Sequence, residues 1–268
     1  MEPYYFRIKG VREFLKYYLS IYEGDYNKIK AWKISRLIPV SMKNKNVLDV
    51  GCGGGFYSLI VCKRGARDIT LLDISPLCVK AAKINLRENI NSNPDGIIAD
   101  AIHLPFRNET FDFVICVDVI EHVLEDHMII QEIERVLKSN GLMIIATQNS
   151  NSLNYILEAP IQRYVFKNRE WMGWDPTHVK FYNPSNLFQM LKKCGFNIIK
   201  VTGTYFIPYM LALGLRRINK GISRLLYLVL YYLNQQLEKS DKAILGLFGW
   251  GIICLCQKKS SKRTKRYP

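Results

Sequence analysis

The side chains able to do chemistry fall into three short stretches. Asp49-Val50-Gly51-Cys52-Gly53-Gly54-Gly55-Phe56 sets an acidic residue two positions before a run of glycines. Glycines let a ligand approach the backbone closely and leave free N–H groups pointing at it. Asp118-Val119-Ile120-Glu121-His122-Val123 spaces two carboxylates and an imidazole one helical turn apart, so they share a face if the segment opens a helix. Such a face offers ligands to Mg²⁺ or Mn²⁺, and the ion would lower the acidity barrier of a hydroxyl bound beside it. Asp175-Pro176-Thr177-His178-Val179-Lys180-Phe181-Tyr182 closes a long connection rich in aromatics. The His178 imidazole can take a proton from a hydroxyl or orient an acceptor.

Elements able to position these groups are legible in the apolar pattern. Residues 47–50, 69–72, 96–99, 113–117 and 142–146 are short apolar runs closed by turn residues, which predicts strands. Helix-like stretches lie between them, among them 57–63 after the glycines, 77–88, and 126–137, the last with Asn140-Gly141 as its C-cap. Strands alternating with helices give βαβ units and a parallel sheet buried on both faces. Two helices precede this region over 11–37, broken near Gly24-Asp25. A helix over 184–194, a strand over 196–201 and a last strand over 250–256 follow it.

A dinucleotide fingerprint requires Gly or Ala where Phe56 stands, so that reading of the glycine turn fails. The order Asp-x-Gly-x-Gly-x-Gly, carried by Asp49, Gly51, Gly53 and Gly55, instead resembles the first motif of the class I S-adenosylmethionine-dependent methyltransferases. Asp73 closes the second strand, where sheets of this kind hold a ribose diol. Ala99-Asp100-Ala101 is similar to the family's segment after its third strand, and Phe111 to Asp118 to its fourth strand. Leu137 to Leu142 matches its helix end and glycine turn before strand five. The resemblance implies a Rossmann-like, doubly wound α/β sheet of seven strands, mostly parallel with an antiparallel last strand. It further implies S-adenosylmethionine as cofactor, bound by Asp49, Gly51, Cys52, Gly53, Asp73, Ile74, Asp100, Ala101 and Val117.

The acceptor is narrowed first by exclusion. After the fourth strand stands Cys116-Val117-Asp118-Val119, neither the Asn/Asp-Pro-Pro-Tyr/Phe of base-amino methylation nor the Pro-Cys of cytosine C5 transfer. The Glu-His-Val stretch resembles that of ubiquinone-biosynthesis type O-methyltransferases, with Asp118 in place of their first Glu, and in some relatives it holds a divalent ion. The resemblance therefore implies Asp118, Glu121 and His122 as candidate ligands for Mg²⁺ or Mn²⁺, and the same stretch occurs in relatives without metal. The Asp-Pro-Thr-His-Val-x-Phe-Tyr stretch is similar to one in the type 11 and type 23 small-molecule branches. His178 and His122 are the expected catalytic residues. The expected acceptor is a small or lipid-linked molecule methylated on oxygen, with an RNA acceptor or a non-catalytic, cofactor-binding scaffold as alternatives.

Almost fifty residues separate Val201 from Trp250, where this fold expects a tight antiparallel pair. Residues 1–46 thus read as an N-terminal helical cap, 47–257 as the methyltransferase domain with a helical insertion at about 205–245, and 258–268 as a basic tail. In the insertion Arg217, Lys220 and Arg224 oppose Leu215, Ile218, Ile222 and Leu226. That division fits an anionic membrane surface, a cap over the acceptor pocket or a dimer contact. Neither apolar run there reaches the length that spans a bilayer, about 18 residues. The formal charge is +15, yet residues 47–150 carry −5 while residues 1–46 carry +6 and 151–268 carry +14. Polyanion attraction belongs to the flanks and not to the cofactor core. Seven scattered cysteines with no Cys-x-x-Cys pair argue against a zinc module and predict reduced thiols, and with the absence of an export signal the expected location is cytoplasmic, peripheral at most.

Overall fold

The computed structural model describes residues 10–165, 167, 169, 175, 177–208, 220–240 and 246–260. Seven strands, β1 (Asn46–Val50), β2 (Asp68–Asp73), β3 (Asp95–Ile98), β4 (Phe111–Val117), β5 (Leu137–Gln148), β6 (Phe196–Thr204) and β7 (Gly251–Lys258), form one sheet in the order β3-β2-β1-β4-β5-β7-β6. Pairing is parallel from β3 to β5, and β7 runs antiparallel to both β5 and β6. The seven-stranded doubly wound sheet with its antiparallel last strand is therefore the observed fold. Its strand order reverses between β1 and β4, and ligands of open α/β sheets bind at the carboxyl ends of the strands at such a switch point.

Neighbouring residues of one strand serve opposite cores, as the period of two requires. Leu48, Val114, Ile145 and Ile252 face α5 (Asp126–Val136) and α7 (Pro184–Lys193), where Ile129, Ile133, Leu187 and Leu191 are fully buried. Val47, Phe113, Ile144 and Ile253 face α2 (Asp25–Leu37) and α3 (Phe56–Cys62) through Ile34, Leu37, Tyr57 and Val61. The N-terminal helix α2 is thus part of the main core. α1 (Val11–Ile21) lies instead on α4 (Pro76–Ile90) through Phe14, Leu15 and Ala81.

Local chemistry fixes the helix starts that matter for the site. Ser75 and Asn183 accept bonds from the N–H groups of Cys78 and Asn186, each with proline at the next position, as N-capped helices favour. One expectation is corrected here. Asn140-Gly141 does not cap the preceding helix, because α5 ends at Val136 and β5 starts at Leu137, which pairs with Phe111. Asn140 instead takes φ +62° inside β5, where the register against β4 shifts. An irregular strand entry and a helix cap both select Asn-Gly, so the dipeptide alone does not distinguish them.

Two further helices stand over the carboxyl edge: α6 (Leu153–Pro160), continued by a wider turn over Ile161–Val165, and α8 (Lys220–Glu238). α8 belongs to the insertion and is fixed by buried polar contacts. Asn234 Oδ1 accepts from the N–H groups of Phe206 (2.8 Å) and Ile207 (3.0 Å), and Glu238 pairs with Lys33 of α2 at 3.0 Å. Arg216, Arg217, Leu215 and Ile218 lie outside the described residues, so the amphipathic reading is visible only from Lys220 onward. There Ile222, Leu225, Leu228, Val229, Tyr232 and Leu233 are exposed beside Lys220 and Arg224. No helix among the described residues is long and apolar enough to cross a membrane. The seven cysteines are free thiols.

Candidate active site

The glycine turn leaves β1 at Val50 and enters α3 at Phe56. Gly51 and Gly53 have φ of +68° and +49°, a region that side-chain-bearing residues rarely enter. Space adds a second demand, since a Cβ on Gly51 would meet Val119 and one on Gly53 or Gly54 would meet the Tyr18 ring of α1. Asp73 ties the turn to the next unit, its Oδ2 accepting from Gly53 N and its Oδ1 from Ser75 N, both at 2.9 Å. Burial pushes its carboxyl pKa up against the pull of those N–H groups. Asp49 sits behind the turn, where its Oδ2 accepts from Ser58 Oγ at 2.6 Å, and burial pushes its pKa up to about 7.

The remaining predicted cofactor residues line the same edge. Ile74 is 69% exposed immediately after Asp73, and Asp100 is exposed with its Oδ1 accepting from Ile102 N at 3.1 Å. Ala101 is half-buried, while Cys52 and Val117 are buried. These residues lie along the carboxyl edge from β3 to β4, with an exposed apolar side chain at Ile74 and carboxylates at Asp73 and Asp100. Cys116 is fully buried in the strand and burial pushes its thiol far up, which removes it as a nucleophile.

On the other side of the switch point the segment 118–122 is a tight turn and not a helix start. Asp118 has φ +56°, and Ile120–His122 form a single 3₁₀ turn. Asp118 does not join Glu121 and His122. Its two carboxylate oxygens both accept from Lys30 Nζ, reached from α2 across 88 positions of sequence. The third group beside Glu121 and His122 is His178, and one ligand atom from each lies within 4.8 Å of the others. The two imidazole rings are 4.9 Å apart.

The segment carrying His178 is fastened to this turn by several bonds. Val179 N and Lys180 N donate to the Glu121 carbonyl at 2.8 and 3.2 Å, and His122 Nδ1 lies 3.0 Å from Thr177 Oγ1. Tyr182 Oη donates to Asp126 Oδ2 at 2.6 Å, and Lys180 Nζ to Asp126 Oδ1 at 2.8 Å. Phe181 packs among Tyr155, Trp250 and His178, which gives this end an aromatic wall. Trp171 to Trp174 and Pro176 lie outside the described residues. Glu121 is fully buried; Thr147 Oγ1 donates to its Oε2 at 2.9 Å, and its Oε1 has no partner among the described residues. Burial and then the Asp118 charge push the Glu121 carboxyl up.

Lys30, Tyr18 and Tyr26 were beyond sequence reading. Tyr26 and Thr204 hydroxyls would both meet a Cβ at Gly251, which places them together where β6 ends and β7 begins. Nothing in the local pattern of α2 marks Lys30, since a lysine on an amphipathic helix is ordinarily solvated.

Comparison with known proteins gives the family and the fold. The type 23 family model described as a methyltransferase domain matches residues 22–201. A ubiquinone biosynthesis O-methyltransferase of Pelagibacter ubique is 33% identical over 184 residues, covering 67% of this chain and 72% of that protein. One from Nitrosomonas europaea is 30% identical over 167 residues, 62% of this chain and 70% of the relative. Among solved structures, a possible histamine N-methyltransferase from Thermotoga maritima superposes with a TM-score of 0.59 at 18% identity, covering 93% of this chain and 96% of that one. The [4+2]-cyclase SpnF gives a TM-score of 0.56 at 21% identity over 85% of this chain and 81% of its own. At such identities these two likenesses describe the fold alone.

Proposed function

The chain belongs to the type 23 methyltransferase-domain family and is an S-adenosylmethionine-dependent methyltransferase; we propose that it transfers the methyl group to oxygen of a small or lipid-linked acceptor. The residues present suit the cofactor. The glycines let the backbone turn tightly, with Val119 packed on Gly51 and Tyr18 on Gly53 and Gly54, and Asp73 keeps lone pairs for a ribose diol after accepting from the Gly53 and Ser75 N–H groups. Exposed Ile74 offers an adenine a flat apolar contact and Asp100 an acceptor for its amino group. When bound, the cofactor supplies a methyl on a sulfonium, an excellent leaving group. The protein has then to hold the acceptor in line and take one proton.

The observation that carries the oxygen reading is the His122–His178 pair beside buried Glu121 at the carboxyl end of β4. An imidazole there receives the hydroxyl proton, and Thr177 orients the His122 ring. His178 is the proposed base, with His122 bonded to Thr177 as its neighbour. The partnerless Glu121 oxygen and the two imidazoles also fit a divalent cation, which would supply Lewis acidity to the acceptor hydroxyl. Two nitrogens and one oxygen suit Mn²⁺ better than Mg²⁺. Asp118 is held by Lys30 and is not among these ligands.

The lipid-linked reading draws on the exposed apolar faces of α8 and of α6, the latter at Leu153, Ile156 and Leu157. Sedimentation with phosphatidylglycerol vesicles at low salt tests it: binding lost in Leu225→Glu/Leu228→Glu supports a membrane-held acceptor, and no binding by the parent protein refutes it. For the chemistry, His178→Ala is expected to lower kcat about 100-fold while S-adenosylmethionine affinity is kept. Unchanged kcat would remove His178 as base, and loss of activity in EDTA restored by Mn²⁺ would add the metal.

A further inference from the structure

Two lysines of α2 are buried, and they serve different ends. Lys33 anchors the insertion through Glu238 and the Gly203 carbonyl. Lys30, 1% exposed, ends on Asp118 at the switch point. A buried cation is retained only with a close partner. This pair sits where the cofactor groove meets the acceptor side. Val119, next to Asp118, packs on Gly51 of the glycine turn. Tyr22, whose ring stacks on Phe56 at 3.9 Å, has its hydroxyl pushed up to about 12 by burial and then by the Asp118 charge. The Asp118 side chain is 33% exposed and that of Lys30 only 2%, so the carboxylate faces the opening and the ammonium backs it. Burial draws the Lys30 pKa down, but Asp118 and Tyr26 outweigh it and the ammonium stays charged.

We infer that Lys30 tunes the charge of the cofactor compartment, cancelling the Asp118 carboxylate and so lowering the preference of the site for a cationic sulfonium over a neutral thioether. The physical reason concerns turnover. Methyl transfer consumes the positive charge on sulfur, so an uncancelled carboxylate would stabilise the reactant more than the transition state and slow the step. It would also bind cofactor and product with unequal strength. Lys30 acts through Asp118, which makes it a positioning and specificity residue and not a catalytic one. This rests on the methyltransferase reading of the same groove.

S-adenosylmethionine and S-adenosylhomocysteine differ by one methyl and one charge, so the ratio of their affinities isolates the effect. Calorimetry on Lys30→Met should shift that ratio about tenfold toward the sulfonium, the size expected for one unit charge in a partly screened pocket. Asp118→Asn should shift it about tenfold the other way, the double variant should return it to the parent value, and Lys30→Arg should stay within about twofold. A purely structural pair would weaken both ligands together and leave the ratio fixed. Ratios within about twofold in every folded variant overturn the inference; if Lys30→Met does not fold, Asp118→Asn alone decides it. Failure of the parent protein to bind either ligand would overturn the methyltransferase reading and this inference with it, whereas normal binding with an invariant ratio sinks only the role of Lys30.

Discussion

The two halves of the sheet's carboxyl edge are built on different principles. On the β1-β2-β3 side, the carboxylates find their partners within one βαβ unit or the next turn: Asp49 with Ser58, Asp73 with Gly53 and Ser75, Asp100 with Ile102. On the β4-β5-β6 side, partners come from far away: Asp118 with Lys30, Glu121 with Thr147, His122 with Thr177, Lys33 with Glu238 and Gly203. The local half recurs as a unit wherever a βαβ motif folds, and suits a cofactor common to many enzymes. The long-range half exists only when the N-terminal helices, the segment carrying His178 and the insertion have all docked, which suits a wall that varies with the acceptor.

Four measurements would break or sharpen this contrast. Asp73→Ala should cause the largest loss, about 1000-fold in S-adenosylmethionine affinity, since two hydrogen bonds to a carboxylate are each worth about 2 kcal/mol. Calorimetry showing unchanged affinity would disprove the assignment of the local half. Lys33→Met, in the distant half, leaves Glu238 buried without its cation and should cost about 3 kcal/mol of stability in urea unfolding. A loss below about 1 kcal/mol would mean that the insertion is held by apolar contacts instead. His178→Ala should lower kcat about 100-fold and leave cofactor affinity in place, separating the halves functionally.

The smallest effect concerns pH. Asp49 binds its proton more tightly folded, at about 7, than a carboxyl does in the unfolded chain. The stability it contributes is therefore present at low pH and is lost as pH rises from about 4 to about 7. Asp49→Asn should flatten the difference in urea midpoint between pH 5 and pH 8 relative to the parent protein. An equal difference in both would show that Asp49 is already ionised in the folded state.

The contrast also explains which parts were legible in advance. The strands, their order of appearance and the glycine turn were readable because an apolar period of two and a run of glycines are local properties of the chain. Misreadings arose where one local pattern serves two structures. Asn140-Gly141 fits a helix cap as well as the irregular strand entry it makes. Asp118, Glu121 and His122 have the spacing of a helical face, but the left-handed backbone at Asp118 turns its carboxylate to Lys30.

By itself, the sequence determined the alternation of strands and helices, the glycine turn between Asp49 and Phe56, and the acid at the end of the second strand. Each depends on residues within a few positions of one another, where backbone sterics and local hydrogen bonding dominate. Tertiary structure decided that Lys30 confronts Asp118, that His178 completes the group of Glu121 and His122, and that α8 hangs on Lys33. These pairings depend on how closely distant elements pack, and burial makes a charge demand a partner without stating in sequence which one it will be.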